Sequence, residues 1–128
     1  MNIVDSSGWL EYLADGPNAG FFAKPIEGTK ELLVPSISIY EVFKRVVQQK
    51  SENEALQVVA LMQQGQVINL DPSIAIGAAH GSLQYQIPMA DAIMLATARN
   101  HKAVLWTQDS HFKGVQNVNY KMAVQSVK

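Results

Sequence analysis

Short apolar segments alternate with stretches of helical period along the whole chain, and this alternation restricts the fold more than any other feature of the sequence. Asn2 to Val4, Leu32 to Val34, Gln66 to Leu70 and Ala103 to Thr107 read as strands, with Val118 to Tyr120 a short fifth. Helix signals stand between them. Ser6-Ser7 offers N-cap oxygens for Gly8 to Leu13, and Ser36 or Ser38 for a helix in which Ile39, Val42, Phe43, Val46 and Val47 recur at helical spacing. Ser51-Glu52-Asn53-Glu54 has the capping-box form and opens a helix to Gln64, closed by Gly65. Asp71-Pro72-Ser73 opens another to about Gln84, and Pro88 suits the first turn of Met89 to Asn100. Glycines and prolines from Gly16 to Gly28 break the pattern, leaving Phe21-Phe22 on a short helix or flap.

Strands separated by helices imply parallel βαβ units. The expected fold is a three-layer α/β/α sandwich around a short parallel sheet of four to five strands. With 128 residues and no repeat, low-complexity tract or Gly/Ser linker, a single domain over 1–128 is expected. A content of 48% hydrophobic and 16% charged residues argues against disorder. The absence of cysteine removes thiolate metal sites, thiol nucleophiles and disulfide staples, and fits a reducing compartment. No apolar run approaches the roughly 18 residues of a membrane helix, and Asp5 interrupts the N-terminus too early for a secretory signal. A soluble, cytoplasmic protein is expected.

In a βαβ unit, strand C-termini and the N-termini of the following helices share one edge, where ligands of such folds bind. Asp5 ends the first strand, Glu41 lies in the first turn or so of the helix after the second, Asp91 follows Pro88 in a helix first turn, and Asp109 follows the fourth strand. All four carboxylates therefore fall on one edge. Taken singly, Asp5 and Asp109 suit helix caps or turns. Glu41 suits a solvated face with Arg45 at i+4, a pair worth only about 0.2–0.5 kcal/mol. Asp91 does not fit so bland a role. Its helical neighbours Met94, Leu95 and Ala98 are apolar, and a carboxylate facing that stripe costs several kcal/mol unless paired, hydrogen-bonded or bound to a cation.

Clustered carboxylates repel unless some take up protons or a cation intervenes. Hard oxygen donors with no cysteine and no well-placed histidine suit Mg²⁺ or Mn²⁺ better than Zn²⁺. Such ions hold phosphate oxygens and activate water, so the chemistry implied is metal-dependent cleavage of a phosphate ester. The net charge of −1 does not oppose a nucleic-acid substrate, because outside these four acids ten basic residues face only seven acidic ones.

The stretches Val4-Asp5-Ser6-Ser7-Gly8-Trp9-Leu10-Glu11, Ser36-Ile37-Ser38-Ile39-Tyr40-Glu41-Val42, Pro88-Met89-Ala90-Asp91-Ala92-Ile93 with Ala96-Thr97-Ala98, and Leu105-Trp106-Thr107-Gln108-Asp109 with Phe112 together resemble PIN-domain proteins of the VapC toxin family. The resemblance covers nearly the whole chain in the right order. It implies a ribonuclease of a toxin–antitoxin pair, cutting RNA with Mg²⁺ or Mn²⁺, acting as a homodimer and neutralised by a small antitoxin. Asp5, Glu41, Asp91 and Asp109 carry over as metal-binding acids, and Ser6 and Thr107 as groups orienting those carboxylates or a phosphate. The chain has Ser110-His111 where many relatives carry a further acid, so one tightly bound ion is expected rather than two.

His80 and His101 read as helix residues, and none of the three histidines stands beside a nucleophile motif; His111, two residues after Asp109, could face the substrate, but an ordinary loop histidine is the favoured reading. Trp9 and Trp106 read as core. Single basic residues such as Lys44 and Arg45 are not assigned to a site, and Leu56, Val59 and Met62 suit either the core or a partner surface. Two other functions compete. A non-catalytic PIN-like binding module would grip a basic partner through the same acidic edge. A phosphotransfer receiver domain needs an acidic pair after the first strand, where this chain has Asp5 followed by Ser6-Ser7.

Overall fold

A computed structural model describes residues 1–124. In chain order the elements are β1 (Asn2–Val4), α1 (Ser6–Leu13), α2 (Ala19–Glu27), β2 (Leu32–Pro35), α3 (Ser36–Gln49), α4 (Glu52–Met62), β3 (Gln66–Ile68), α5 (Pro72–Tyr85), α6 (Met89–Asn100), β4 (Val104–Thr107) and β5 (Val118–Tyr120). Single 3₁₀ turns at Thr29–Glu31 and Ser110–Phe112 complete the path. The five strands form one parallel sheet in the order β3-β2-β1-β4-β5.

Alternation along each strand sends side chains to two separate cores. Ile3, Leu33 and Leu105 point to one face, where they pack with Ile74, Ala78, Ile93, Met94, Leu95 and Phe112 under α5 and α6. Val4, Leu32 and Val34 point to the other, with Trp9, Phe22, Ile26, Val42, Val46, Ala55 and Met62 from α1 to α4. This is the expected three-layer arrangement, and the register keeps it consistent, since Ile3 pairs with both Leu33 and Leu105. No helix among the described residues is long and apolar enough to cross a membrane.

Several local expectations are corrected. Helix α1 starts two residues early and its N-cap is Asp5, which accepts from the Gly8 N–H, not Ser6 or Ser7. The N-cap of α3 is Pro35, and Ser38 donates back to the Pro35 carbonyl at 2.6 Å instead of capping. Of the two readings for Phe21 and Phe22, a short helix or a flap, the helix holds, as α2. β3 stops at Ile68, which pairs with Pro35, the last residue of β2, and Asn69 and Leu70 after it are exposed. Ser51 and Asp71 cap α4 and α5 as read, accepting from Glu54 and Ile74 N–H groups. Trp9 is buried, whereas Trp106 is half-buried, packed on Phe21 and donating to Asn2. Met62 belongs wholly to the core, while Leu56 is exposed and Val59 half-buried.

The chain switches direction across the sheet between β1 and β4: β2 and β3 lie on one side of β1, β4 and β5 on the other. Helix α1 must therefore leave the end of β1 tightly. Gly8 permits this, because a Cβ there would stand 2.6 Å from both the Phe22 ring and Val4 Cγ1. Gly8→Ala should destabilise the protein by about 1–3 kcal/mol through overpacking, although Ala is intrinsically better in a helix by roughly 0.5–1 kcal/mol. Urea unfolding of both proteins checks the sign.

Candidate functional site

The switch point between β1 and β4 opens into a cleft of about 410 Å³ lined by Asp5, Glu41, Asp91 and Asp109, with Ser6 and Tyr40 beside them and Lys44 and Arg45 on its rim. Four different parts of the chain supply the acids. Asp5 leaves β1, Glu41 stands on α3, Asp91 in the first turn of α6, and Asp109 follows β4.

Asp5 is the innermost, 2% exposed. One of its oxygens, Oδ1, accepts from Gly8 N–H at 2.9 Å and Ser7 Oγ at 2.8 Å, while Oδ2 accepts from the Thr107 hydroxyl at 2.5 Å. Asp5 therefore both caps α1 and lines the cleft. Thr107 is fully buried behind it and in turn accepts from the Asp109 N–H at 2.9 Å, so one hydroxyl links the acids after β1 and β4. Ser6 donates to Glu41 Oε1 at 2.6 Å across 35 residues of sequence. The Glu41–Arg45 ion pair that the i+4 spacing allows as the bland alternative does not form among the described residues.

Asp91 stands in the first turn of α6, whose residues Ala92 to Ala98 are all buried. Its carboxylate meets His111, whose Nδ1 lies 2.9 Å from Asp91 Oδ2 and 3.1 Å from Asp109 Oδ1. Asp109 also caps the following turn by accepting from the His111 N–H. His111, which the sequence favoured as an ordinary loop histidine, stands against two of these acids. Its partner Asp91 is 20 residues distant, and the only signal in the sequence was its place two residues after an acid already assigned. His80 and His101 stay outside, exposed on or after their helices.

Electrostatics reflect the crowding. Burial pushes the Asp5 carboxyl from 3.8 up to about 6, despite hydrogen bonds from Thr107, Gly8 and Ser7 that favour its charged form, and the Asp91 charge adds to the rise. Asp91 is raised by burial first, then by Asp109 and Glu41, against the opposing pull of His111. His111 is raised by its hydrogen bond to Asp91 and the charge of Asp109. Among the described residues, no buried side-chain nitrogen or oxygen lacks a partner. What remains unbalanced is charge. Asp91, Asp109 and His111 each offer a donor atom within 4.8 Å of the others, and Glu41 and Asp5 face the same space. The carboxylate oxygens among these donors fit a hard divalent cation.

A raised acid in the folded state means that, between about pH 4 and pH 6, the folded chain keeps a proton at Asp5 that the unfolded chain has released. Stability from this group therefore falls as pH rises through that window and stays lower above it. In EDTA, the stability of Asp5→Asn relative to the unsubstituted protein should climb by about 2–3 kcal/mol between pH 4 and pH 7, then level off. Chemical denaturation at a series of pH values measures this difference.

Comparison with known proteins agrees with this architecture. The fold matches a toxin–antitoxin complex from Klebsiella pneumoniae with a TM-score of 0.75 at 22% identity, covering 92% of this chain and 95% of that one. It matches the VapC20 toxin of Mycobacterium tuberculosis, a sarcin-ricin loop cleaving toxin, with a TM-score of 0.76 at 13% identity over 93% and 98% of the two chains. DNA-bound VapBC from Salmonella typhimurium follows at 0.73 and 13% identity, over 94% and 96%. No curated protein matches by sequence. The PIN domain family model matches residues 3–118, a span that holds every acid of the cleft, and the chain belongs to the PIN domain family.

Proposed function

We propose that this chain is an endoribonuclease that hydrolyses RNA phosphodiester bonds with Mg²⁺ or Mn²⁺, as the toxin of a toxin–antitoxin pair. The convergence of Asp5, Glu41, Asp91 and Asp109 on one cleft carries this reading. A divalent cation bound there would neutralise charge on the phosphate and make a water nucleophilic near neutral pH. The chain's own residues do the rest. Asp91, Asp109, Glu41 and Asp5 hold the cation, with Thr107 fixing Asp5 and Ser6 fixing Glu41 through their hydroxyls. Lys44 and Arg45, one helical turn beyond Glu41 on α3, attract the phosphates that flank the scissile bond. No cysteine is available as a nucleophile, and the serines of the cleft, Ser6 and Ser7, are engaged as donors to carboxylates.

The similar structures support the biological setting: one is described as cleaving the sarcin-ricin loop, and others are toxin–antitoxin assemblies. A cytoplasmic homodimer neutralised by a small antitoxin belongs to the same reading. Beside the cleft, and sharing Tyr40 and Lys44 with it, an apolar groove between α3 and α4 is lined by Ile39, Phe43, Val47, Leu56 and Val59. That groove offers a surface for a partner chain.

Cellular RNA incubated with the protein in Mg²⁺, Mn²⁺ or EDTA, followed by mapping of new 5′ ends, tests the proposal. Discrete cuts should appear only with the metal, and Asp5→Asn and Asp91→Asn should each lower the rate by at least roughly 100-fold, the upper end of what outer-shell changes cost metal sites. Undiminished cutting by both variants would sink the assignment. Folded, antitoxin-free protein that cuts nothing would instead support a binding module gripping a basic partner through its acidic edge.

A further inference from the structure

His111 is placed with more care than a loop histidine needs. The turn Ser110–Phe112 is capped by the Asp109 carboxylate, and Phe112, the next residue, is fully buried in the α5–α6 core. The backbone is thus pinned on both sides of the ring. Nδ1 is held 2.9 Å from Asp91 Oδ2 and 3.1 Å from Asp109 Oδ1, while the side chain as a whole remains 51% exposed. Its buried edge faces the acids and the rest meets solvent.

Building on the nuclease reading above, we propose that His111 supplies a nitrogen ligand to the cation held by Asp91 and Asp109, and that this ligand biases the site toward Mn²⁺ over Mg²⁺. Donor atoms at adjacent corners of an octahedron with bonds of about 2.1 Å stand about 3 Å apart. The separations from Nδ1 to the two carboxylate oxygens, 2.9 and 3.1 Å, meet that spacing with little adjustment of the ring. Nδ1 thus faces an oxygen of each acid, and to ligate a cation held by them it must present its lone pair, free of a hydrogen, toward the ion. Mg²⁺ prefers oxygen and gains little from imidazole, whereas first-row transition ions bind nitrogen better. A donor set of two carboxylates and one imidazole therefore separates the two ions in a way that carboxylates alone do not.

The alternative is that His111 is only a counter-charge, bonded to the acids and never to the ion. Pulsed EPR on the full-length protein loaded with Mn²⁺ distinguishes the two, because a directly bound imidazole leaves a nitrogen coupling on the manganese signal. Calorimetric titration with MnCl₂, and with MgCl₂ in competition, gives the affinities. The coupling should be present in the unsubstituted protein and absent in His111→Ala and His111→Asp. The ratio of Mn²⁺ to Mg²⁺ affinity should fall at least roughly tenfold in His111→Asp, which replaces the nitrogen donor with oxygen, since even outer-shell changes cost metal sites that much. Bound Mn²⁺ without a nitrogen coupling, or a coupling that survives in His111→Ala, overturns the proposal and leaves the nuclease reading standing. Failure of the unsubstituted protein to bind either ion overturns both.

Discussion

Everything around the cleft depends on keeping one carboxylate out of water. Asp5 sits at the end of the central strand, and its burial would be prohibitive if its oxygens were not supplied with donors from three directions. Those donors define the neighbourhood. Gly8 N–H is available only because α1 begins at Ser6, immediately after the strand, and Thr107 only because β4 pairs beside β1 with Val4 opposite Trp106. The helix start, the strand register and the acid's orientation are one interlocked arrangement. Its residual cost appears as a carboxyl that gives up its proton reluctantly.

The layered fold was legible because it rests on periodicity. Strand segments such as Asn2 to Val4 and the buried run Ala92 to Ala98 announce their environment by composition alone. The shared edge of the four acids followed from connectivity, since parallel strands force their ends to one side. What escaped were choices made among polar partners distant in sequence. Ser6 was free to cap its helix but donates to Glu41 across the cleft, and the Ser38 hydroxyl turns back to a carbonyl while Pro35 starts α3. The Glu41–Arg45 spacing suited an ion pair, yet a hydrogen bond to Ser6 took its place. His111 escaped for the same reason, and with it the judgement that no histidine was well placed beside the acids. Local spacing predicts that a side chain can reach a neighbour; it does not say which of several reachable partners folding delivers.

Charge in the cleft is mixed in sign and unequal in exposure. Asp5 is buried and the other three acids are half-buried, whereas Lys44 and Arg45, one turn along the helix that carries Glu41, are exposed. The most exposed charges of the lining are therefore positive. The near-neutral net charge of the chain conceals this difference, because the two sets cancel in the sum.

The two hydrophobic cores lie on opposite faces of the sheet, and the acids are divided among them and the strands between. Glu41 belongs to the layer of α1 to α4, Asp91 to the layer of α5 and α6, and Asp109 follows a strand that begins 99 residues after Asp5. A chain emerging from the ribosome has no such cluster until both layers have docked and β4 has paired with β1. An immature or half-unfolded copy therefore holds the acids apart. The cleft these carboxylates line is complete only when both layers are docked, and is lost when either comes loose.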